Sequence, residues 1–94
     1  MLISDSQTLQ DELALLPGWE IKDGQLAKTF VAADFQAAIA FVVRIAFFAE
    51  AADHHPDIAI AYNKVGIALS THSEGGITEK DFALAGQIEA VFAV

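Results

Sequence analysis

The stretch DIAIAYNKVGIAL, residues 57–69, decides the fold. Apolar residues alternate with small or polar ones on both sides of Asn63-Lys64, and this alternation predicts two half-buried strands. Because Asn63-Lys64 suits a two-residue turn, the segment predicts a β-hairpin. The facing residues are then Tyr62 with Val65, Ile60 with Ile67, Ile58 with Leu69, Pro56 with Thr71, and His55 with His72. Two histidines that are distant in sequence should therefore meet at one end of the sheet, with Cβ atoms roughly 4.5–5.5 Å apart.

A second hairpin is predicted upstream, because Asp23-Gly24 separates two strand-like segments at residues 19–22 and 26–31. A short helix precedes it, since leucines recur at helical spacing before Pro17-Gly18 ends the pattern. The leucines are Leu9, Leu13 and Leu16. Two aromatic residues of the hairpins are expected in the core: Trp19 and Tyr62.

The last helix begins at Thr78. Thr78 and Asp81 are spaced as a capping box, and Ile77 and Phe82 as a hydrophobic staple, so capping alone accounts for Asp81. With a further helix between the hairpins, the order is α-β-β-α-β-β-α. This order predicts a single α+β domain over residues 1–94, in which three helices cover one face of a four-stranded antiparallel sheet.

The helix between the hairpins begins after Asp34 and runs to about Ala52. Its predicted core stripe consists of Phe35, Ile39, Val42, Ala46 and Ala49. Other large apolar residues fall outside the stripe: Phe41, Val43, Phe47 and Phe48. A helix that is apolar nearly all round is buried on more than one side. In a 94-residue chain that is 54% hydrophobic, the second side predicts self-association as a homodimer or homotetramer.

Composition excludes several classes of function. The net charge is −8 with only five scattered Lys and Arg residues, so direct binding of nucleic acid or of an anionic membrane is not expected. The absence of cysteine excludes disulfides, thiol nucleophiles and thiolate metal sites. Arg44 and Glu50 interrupt the apolar residues 35–52, which are expected to be too short and too charged to span a membrane. No signal peptide is visible, and a cytoplasmic protein is expected.

All three histidines lie within nineteen residues, from His54 to His72. Histidine can donate and accept a proton near neutral pH, so the cluster is a candidate acid–base site. Glu50 and Asp53 lie close by in the sequence and can accept hydrogen bonds from imidazolium groups. Two other interpretations stay open. A His-His-Pro tripeptide is often a surface loop, and three histidines could bind Zn²⁺, although their spacing matches no usual zinc motif.

Four segments resemble the pterin-4a-carbinolamine dehydratase family in order and spacing. They are Asp53-His54-His55-Pro56, Tyr62-Asn63-Lys64-Val65, Leu69-Ser70-Thr71-His72, and Gly76-Ile77-Thr78 with Asp81. Glu50 and Pro17-Gly18-Trp19 also match, so the resemblance covers nearly the whole chain. It departs at Ile58, where members often carry an aromatic residue, and at Ala51, where they often carry lysine. These departures concern the shape of the pocket and one charged contact.

The resemblance implies the α+β fold and an enzyme that removes water from a 4a-hydroxytetrahydropterin to give the quinonoid dihydropterin. This reaction recycles the cofactor of the aromatic amino-acid hydroxylases, which are the implied pathway partners, and it needs neither a metal nor a redox cofactor. The resemblance implies that His54, His55 and His72 are catalytic. The implied substrate-binding residues are Glu50, Asp53, Ser70, Thr71 and Asp81.

Two other functions remain as alternatives. Some members of the family are co-activators that bind the dimerisation domain of a transcription factor, so the long apolar helix could carry a protein-interaction function. The three histidines could instead belong to a metal-dependent hydrolase.

Overall fold

The predicted order of elements is confirmed by a computed structural model, which describes residues 2–3 and 5–93. The elements are α1 (Ser6–Ala14), β1 (Glu20–Lys22), β2 (Gln25–Val31), α2 (Phe35–Ala52), β3 (Asp57–Ala61), β4 (Lys64–Leu69), a 3₁₀ turn (His72–Glu74) and α3 (Glu79–Ala93). All pairings within the sheet are antiparallel, and the strand order is β1-β2-β4-β3.

One face of the sheet carries the core. Alternate residues of the two central strands, including Leu26, Phe30 and Ile67, are buried against the helices. Trp19 is buried beside them, as predicted, and its indole nitrogen donates to Glu89 Oε2 at 2.8 Å. The intervening residues of the same strands point to the opposite face, which is made mainly of small side chains. The sheet therefore has one packed face and one open face.

The later hairpin forms, but its predicted register is wrong by two residues. Its turn is Tyr62-Asn63, and the observed pairs include Ala61 with Lys64, Ile60 with Val65 and Ile58 with Ile67. A slip of two residues keeps every side chain on the same face, because side chains alternate with a period of two, so the apolar pattern fits both registers. The predicted pairing of His55 with His72 across paired strands is therefore also wrong.

Contacts to a neighbouring strand select the observed turn. The backbone carbonyl of Asn63 accepts from the backbone nitrogen of Ala32 at 2.7 Å. The side-chain nitrogen of Asn63 donates to the Ala32 carbonyl at 3.0 Å. Tyr62 then occupies the first turn position with φ of 55°. Its ring is 67% exposed instead of lying in the core as predicted. These two hydrogen bonds join residues that are far apart in sequence, so the local sequence pattern does not predict them.

Helix α2 has the predicted bounds and the predicted cap, since Asp34 Oδ1 accepts from the nitrogen of Ala37 at 2.8 Å. Its predicted core stripe is right at Ala49 and in part at Val42, which is half-buried against the core, and wrong at Phe35, Ile39 and Ala46, which are exposed. The buried residues are Ala38, Phe41, Ile45 and Ala49. Phe41 packs against Phe30 and Phe92, with ring centroids 5.1 and 4.9 Å apart. Because the helix is apolar nearly all round, its rotation follows from contacts with distant residues such as these and not from its own sequence pattern.

The length and composition of α2 would by themselves allow it to cross a membrane, contrary to the expectation from the sequence. In the structure it is instead one of the helices that pack around the core of the domain. It packs against β4 and α3, and its buried residues belong to the common core. The core helix of a globular domain can satisfy the same length and hydropathy test as a membrane span.

Candidate active site

The three histidines line one pocket of about 240 Å³ where the end of α2, the end of β4 and the start of α3 meet. The lining residues are Asp53, His54, His55, Ser70, Thr71, His72, Ser73 and Lys80. The predicted convergence of the histidines therefore occurs, although the predicted strand register does not produce it. The turn after α2 brings His54 and His55 to the pocket, and the 3₁₀ turn after β4 brings His72.

A left-handed residue turns the chain into this pocket at the end of α2. Asp53 has φ of 50° and ψ of 44°, and its nitrogen donates to the Glu50 carbonyl at 3.2 Å. The nitrogen of His54 donates to the Ala49 carbonyl at 3.0 Å, which closes the helix. Glycine is the usual residue at such a C-cap, and aspartate tolerates the conformation better than most others. Asp53 thereby reverses the chain and also lines the pocket.

The imidazole of His54 is held by a buried carboxylate. His54 Nε2 lies 2.6 Å from Asp81 Oδ1, and the two side chains are 11% and 0% exposed. Asp81 Oδ2 accepts from the Thr78 nitrogen at 2.8 Å and from the Thr71 hydroxyl at 3.0 Å. Since a carboxylate only accepts, His54 carries a proton on Nε2. Its Nδ1 makes no hydrogen bond within the part of the chain that the structure describes.

A chain of hydroxyl groups supports this arrangement. Because Thr71 gives its proton to Asp81, the Thr78 hydroxyl must donate to Thr71, at 2.7 Å. Thr78 Oγ1 in turn accepts from the Lys80 nitrogen at 3.2 Å. The predicted capping box of α3 is thus confirmed, and it also orients a histidine. Among residues 2–3 and 5–93, no buried side-chain nitrogen or oxygen lacks a hydrogen-bond partner, and a fully satisfied buried network of this kind is rigid.

The other two histidines are open to solvent. His55 Nε2 lies 2.7 Å from Glu50 Oε1, and these side chains are 55% and 76% exposed. The imidazole of His72 is exposed in the 3₁₀ turn and has no side-chain hydrogen bond among the described residues. The pocket therefore combines one histidine fixed by a buried carboxylate with two that can exchange protons with water.

The structure divides the predicted substrate-binding residues into two groups. Asp53, Ser70 and Thr71 line the pocket, but the buried Thr71 hydroxyl is already hydrogen-bonded to Thr78 and Asp81. Glu50 and Asp81 do not line it, and each contacts a histidine instead. These two carboxylates therefore act on a ligand only through His55 and His54.

Sequence reasoning did not assign Ser73, Thr78 or Lys80 to the site. Ser73 and Lys80 line the pocket, and Thr78 belongs to the network behind it. The capping-box spacing of Thr78 and Asp81 could have pointed to two of these residues, Thr78 itself and Lys80, which lies between the pair. Asp81 also contacts His54. Within residues 2–3 and 5–93, no group of three or more His, Cys, Asp or Glu side chains is arranged to hold a metal ion.

A larger depression, of about 510 Å³, lies on the open face of the sheet. Its floor is formed by small residues such as Ala27, Gly66 and Ala68. No histidine lines it, and its charged lining residues are Glu20, Lys22, Lys28 and Asp57. The smaller pocket is the candidate active site because it alone, of the two, holds groups suited to proton transfer near neutral pH.

The chain matches the model of the pterin 4 alpha carbinolamine dehydratase family over residues 3–91. A provisionally named pterin-4-alpha-carbinolamine dehydratase of Chloroflexus aurantiacus is 53% identical over 83 residues, covering 88% of this chain and 89% of the relative. A provisionally named dehydratase of the same kind from Herpetosiphon aurantiacus is 59% identical over 85 residues, covering 90% and 88%.

Two solved structures share the fold. A transcriptional coactivator/pterin dehydratase from Brucella melitensis superposes with a TM-score of 0.88 at 37% identity, covering 93% of this chain and 95% of the other. A pterin dehydratase-like protein, described as a RuBisCO assembly factor in the α-carboxysome, superposes with a TM-score of 0.63 at 26% identity, covering 78% and 84%. Similar folds thus occur in proteins described as enzymes and in proteins described as binding partners.

Proposed function

The chain belongs to the pterin 4 alpha carbinolamine dehydratase family, and from that membership we propose that its histidine pocket removes water from a 4a-hydroxytetrahydropterin by acid–base catalysis. The observation that carries this proposal is the arrangement of His54, His55 and His72 around one pocket, with Asp81 buried behind the first of them. Family membership supports a dehydratase in general. The identity of the pterin substrate and the catalytic role of the histidines are proposals that go beyond family membership.

The reaction forms a double bond between ring carbon 4a and ring nitrogen 5. Hydroxide leaves carbon 4a and a proton leaves nitrogen 5, so a general acid and a general base are both required. The proton balance closes when one imidazole accepts the proton of nitrogen 5 and another protonates the departing hydroxide, which leaves as water. No redox cofactor takes part, because no electrons are exchanged with the protein, and the two imidazoles supply the acid and the base without a metal ion.

Asp81 favours His54 as the base. The Asp81 carboxylate holds the Nε2 proton of His54, which leaves the Nδ1 lone pair free to accept a proton. A carboxylate in this position also stabilises the imidazolium that forms during the reaction, as it does in hydrolases with a catalytic triad. The acid is then His55 or His72, because both are exposed and can be reprotonated from water after each turnover.

Pterin binding to this pocket can be tested without turnover. A stable dihydropterin, titrated into isotopically labelled protein, should shift the side-chain NMR signals of all three histidines and of Thr71. The indole signal of Trp19 is the control, because Trp19 is hydrogen-bonded to Glu89 on another part of the molecule. Unchanged histidine signals at millimolar ligand would contradict the proposal.

Self-association is the second part of the proposed function. Helix α2 exposes large apolar side chains although its opposite side already forms the core. Exposed apolar patches of this kind usually mark interfaces, so we propose a homodimer or homotetramer that uses α2. An interaction module that binds a different protein through α2 is the alternative. Sedimentation velocity on the purified chain distinguishes them, because a stable species of 10.0 kDa at micromolar concentration would rule out the homo-oligomer.

A further inference from the structure

One permanent cation lines the histidine pocket. Lys80 is the only lysine or arginine among the lining residues, in a chain that has five such residues in all. Its side chain is exposed and forms no ion pair or hydrogen bond with any residue that the structure describes. The acid–base steps proposed above do not use it. Its ammonium group is therefore available to a ligand that enters the pocket.

The position of Lys80 in α3 is unfavourable for a cation. The backbone N–H groups at the start of a helix carry partial positive charge, so acidic residues are stabilising there and basic residues are not. Glu79 and Asp81, the other charged residues of the first turn, follow this preference. Lys80 lies between them and is the only cation of the whole helix. The electrostatics of α3 alone therefore give no reason for a lysine at this position, whereas a ligand in the pocket does.

The pocket has opposite charges on two sides. Asp53 lines it at the end of α2, where the last carbonyl groups of the helix carry partial negative charge. Lys80 lines it at the start of α3, where the partial charge is positive. The two side chains do not form an ion pair with each other, although the pocket measures only about 240 Å³. The pocket therefore offers a ligand a hydrogen-bond acceptor on one side and a donor on the other.

A pterin ring has a group that suits the donor. Its carbon 4 carries an oxygen that accepts hydrogen bonds, and carbon 4 is bonded to carbon 4a. The same oxygen lies beside nitrogen 5, so a group that binds it is adjacent to both reacting atoms. A lysine ammonium only donates, so it can bind this oxygen but not the neighbouring N–H group of the ring. We propose that Lys80 binds the 4-oxo oxygen of the pterin and thereby directs carbon 4a and nitrogen 5 towards the histidines.

This inference rests on the proposed dehydratase function and predicts an effect on KM. The 4-oxo group takes no part in bond making or breaking, so the contact is made alike in the substrate and in the transition state. Loss of such an interaction raises KM and leaves kcat nearly unchanged. Lys80→Met keeps an unbranched side chain and removes the charge, and it should raise KM by about tenfold, as expected for a hydrogen bond to a charged group. Lys80→Arg keeps a donor and should stay closer to the wild-type KM.

A pair of ligands tests the contact itself. One is a stable dihydropterin, and the other is the same molecule with hydrogen in place of the 4-oxo group. Isothermal titration calorimetry gives the Kd of each ligand for the wild type and for Lys80→Met. The variant should bind the dihydropterin about tenfold more weakly than the wild type does. It should bind the analogue as the wild type does, because the analogue lacks the oxygen that Lys80 contacts.

Lys64→Met is the matched control, because Lys64 is exposed at the start of β4 and does not line the pocket. It changes the net charge by the same amount and should leave Kd and KM unchanged. Urea unfolding separates binding from stability, since removing a cation from the first turn of α3 should not lower the unfolding midpoint. A large loss of stability in Lys80→Met would instead assign the residue a structural role.

Three results would overturn the inference: a wild-type Kd and KM for Lys80→Met, an equal loss of affinity for both ligands, or the same effect in Lys64→Met. A wild type that binds and turns over the pterin, with an unaffected Lys80→Met variant, refutes the role of Lys80 and leaves the proposed function intact. A wild type that neither binds nor turns over a pterin refutes the proposed function, and this inference with it.

Discussion

Asp81→Asn separates the structural and the chemical roles of the buried carboxylate. Asp81 accepts three hydrogen bonds: two on Oδ2, from Thr78 and Thr71, and one on Oδ1, from His54. Asparagine can place its carbonyl oxygen at the Oδ2 position and keep the first two. Its amide nitrogen then faces His54 Nε2 and donates to it. The ring proton of His54 must move to Nδ1, which can no longer act as a base in the neutral imidazole.

The expected cost to stability is moderate and the cost to activity is large. Hydrogen bonds to a charged group contribute about 1.5–3 kcal/mol and neutral ones about 0.5–1.5 kcal/mol, so the free energy of unfolding should fall by about 1–3 kcal/mol. Loss of a correctly oriented base should lower kcat/KM by about 10²–10⁴. Urea unfolding monitored by circular dichroism gives the first quantity, and decay of a 4a-hydroxytetrahydropterin gives the second.

Glu89→Gln is the matched control. Glu89 accepts from Trp19 and Lys28 in a partly buried cluster on α3, away from the histidine pocket. Its replacement should lower stability without changing kcat/KM. A folded Asp81→Asn variant with wild-type turnover would refute the assignment of His54 as the base that Asp81 orients.

The remaining predictions concern the other histidines, metal, the hairpin turn and the rotation of α2. His55→Gln and His72→Gln should each keep the fold by circular dichroism and lower kcat/KM, by up to about 10²–10⁴ if that residue is the acid; wild-type rates in both would contradict an acid role for either. Elemental analysis should find no stoichiometric zinc; one equivalent, with activity lost on chelation and restored by zinc, would show the opposite. Tyr62→Asn should raise the free energy of unfolding by up to about 1 kcal/mol in urea, because asparagine tolerates positive φ, and a loss of stability would argue against a strained turn. Ile45→Ala should cost about 2–5 kcal/mol and Ala46→Ser less than about 0.5 kcal/mol, and equal costs would show that α2 is rotated differently.

Sequence reasoning predicted the elements of the fold because those depend on local pattern. Asp23-Gly24 carries positive φ at both turn positions, 53° and 75°, which is the conformation that this dipeptide favours. Asp34 caps α2 as its position before an apolar segment predicts. In each of these cases the chemistry that decides the structure lies within a few residues along the chain.

The same reasoning failed where distant contacts choose between local alternatives. The hairpin register depends on Asn63 meeting Ala32, and the rotation of α2 depends on Phe41 meeting Phe30 and Phe92. Alternation with a period of two cannot detect a slip of two residues, and a helix that is apolar nearly all round does not specify its own core side. Both errors come from a pattern that fits more than one packing.

The sequence predicted only part of the site. The clustering of His54, His55 and His72 predicted one pocket, and they do line one. The register argument for their meeting was wrong, and the tight turn at Asp53 does the positioning instead. The division between a buried, carboxylate-bound His54 and exposed His55 and His72 could not be predicted, because burial depends on how α3 packs against the loop after α2.

The most direct test of the account is the rate at which the purified chain dehydrates a 4a-hydroxytetrahydropterin, measured by the absorbance change that accompanies formation of the quinonoid product. The wild type should accelerate the reaction over buffer, in proportion to enzyme concentration. A variant that carries glutamine at positions 54, 55 and 72 should be folded and should show only the buffer rate. Equal rates for the wild type and the triple variant would contradict histidine acid–base catalysis, and the absence of any acceleration by the wild type would contradict the dehydratase function itself.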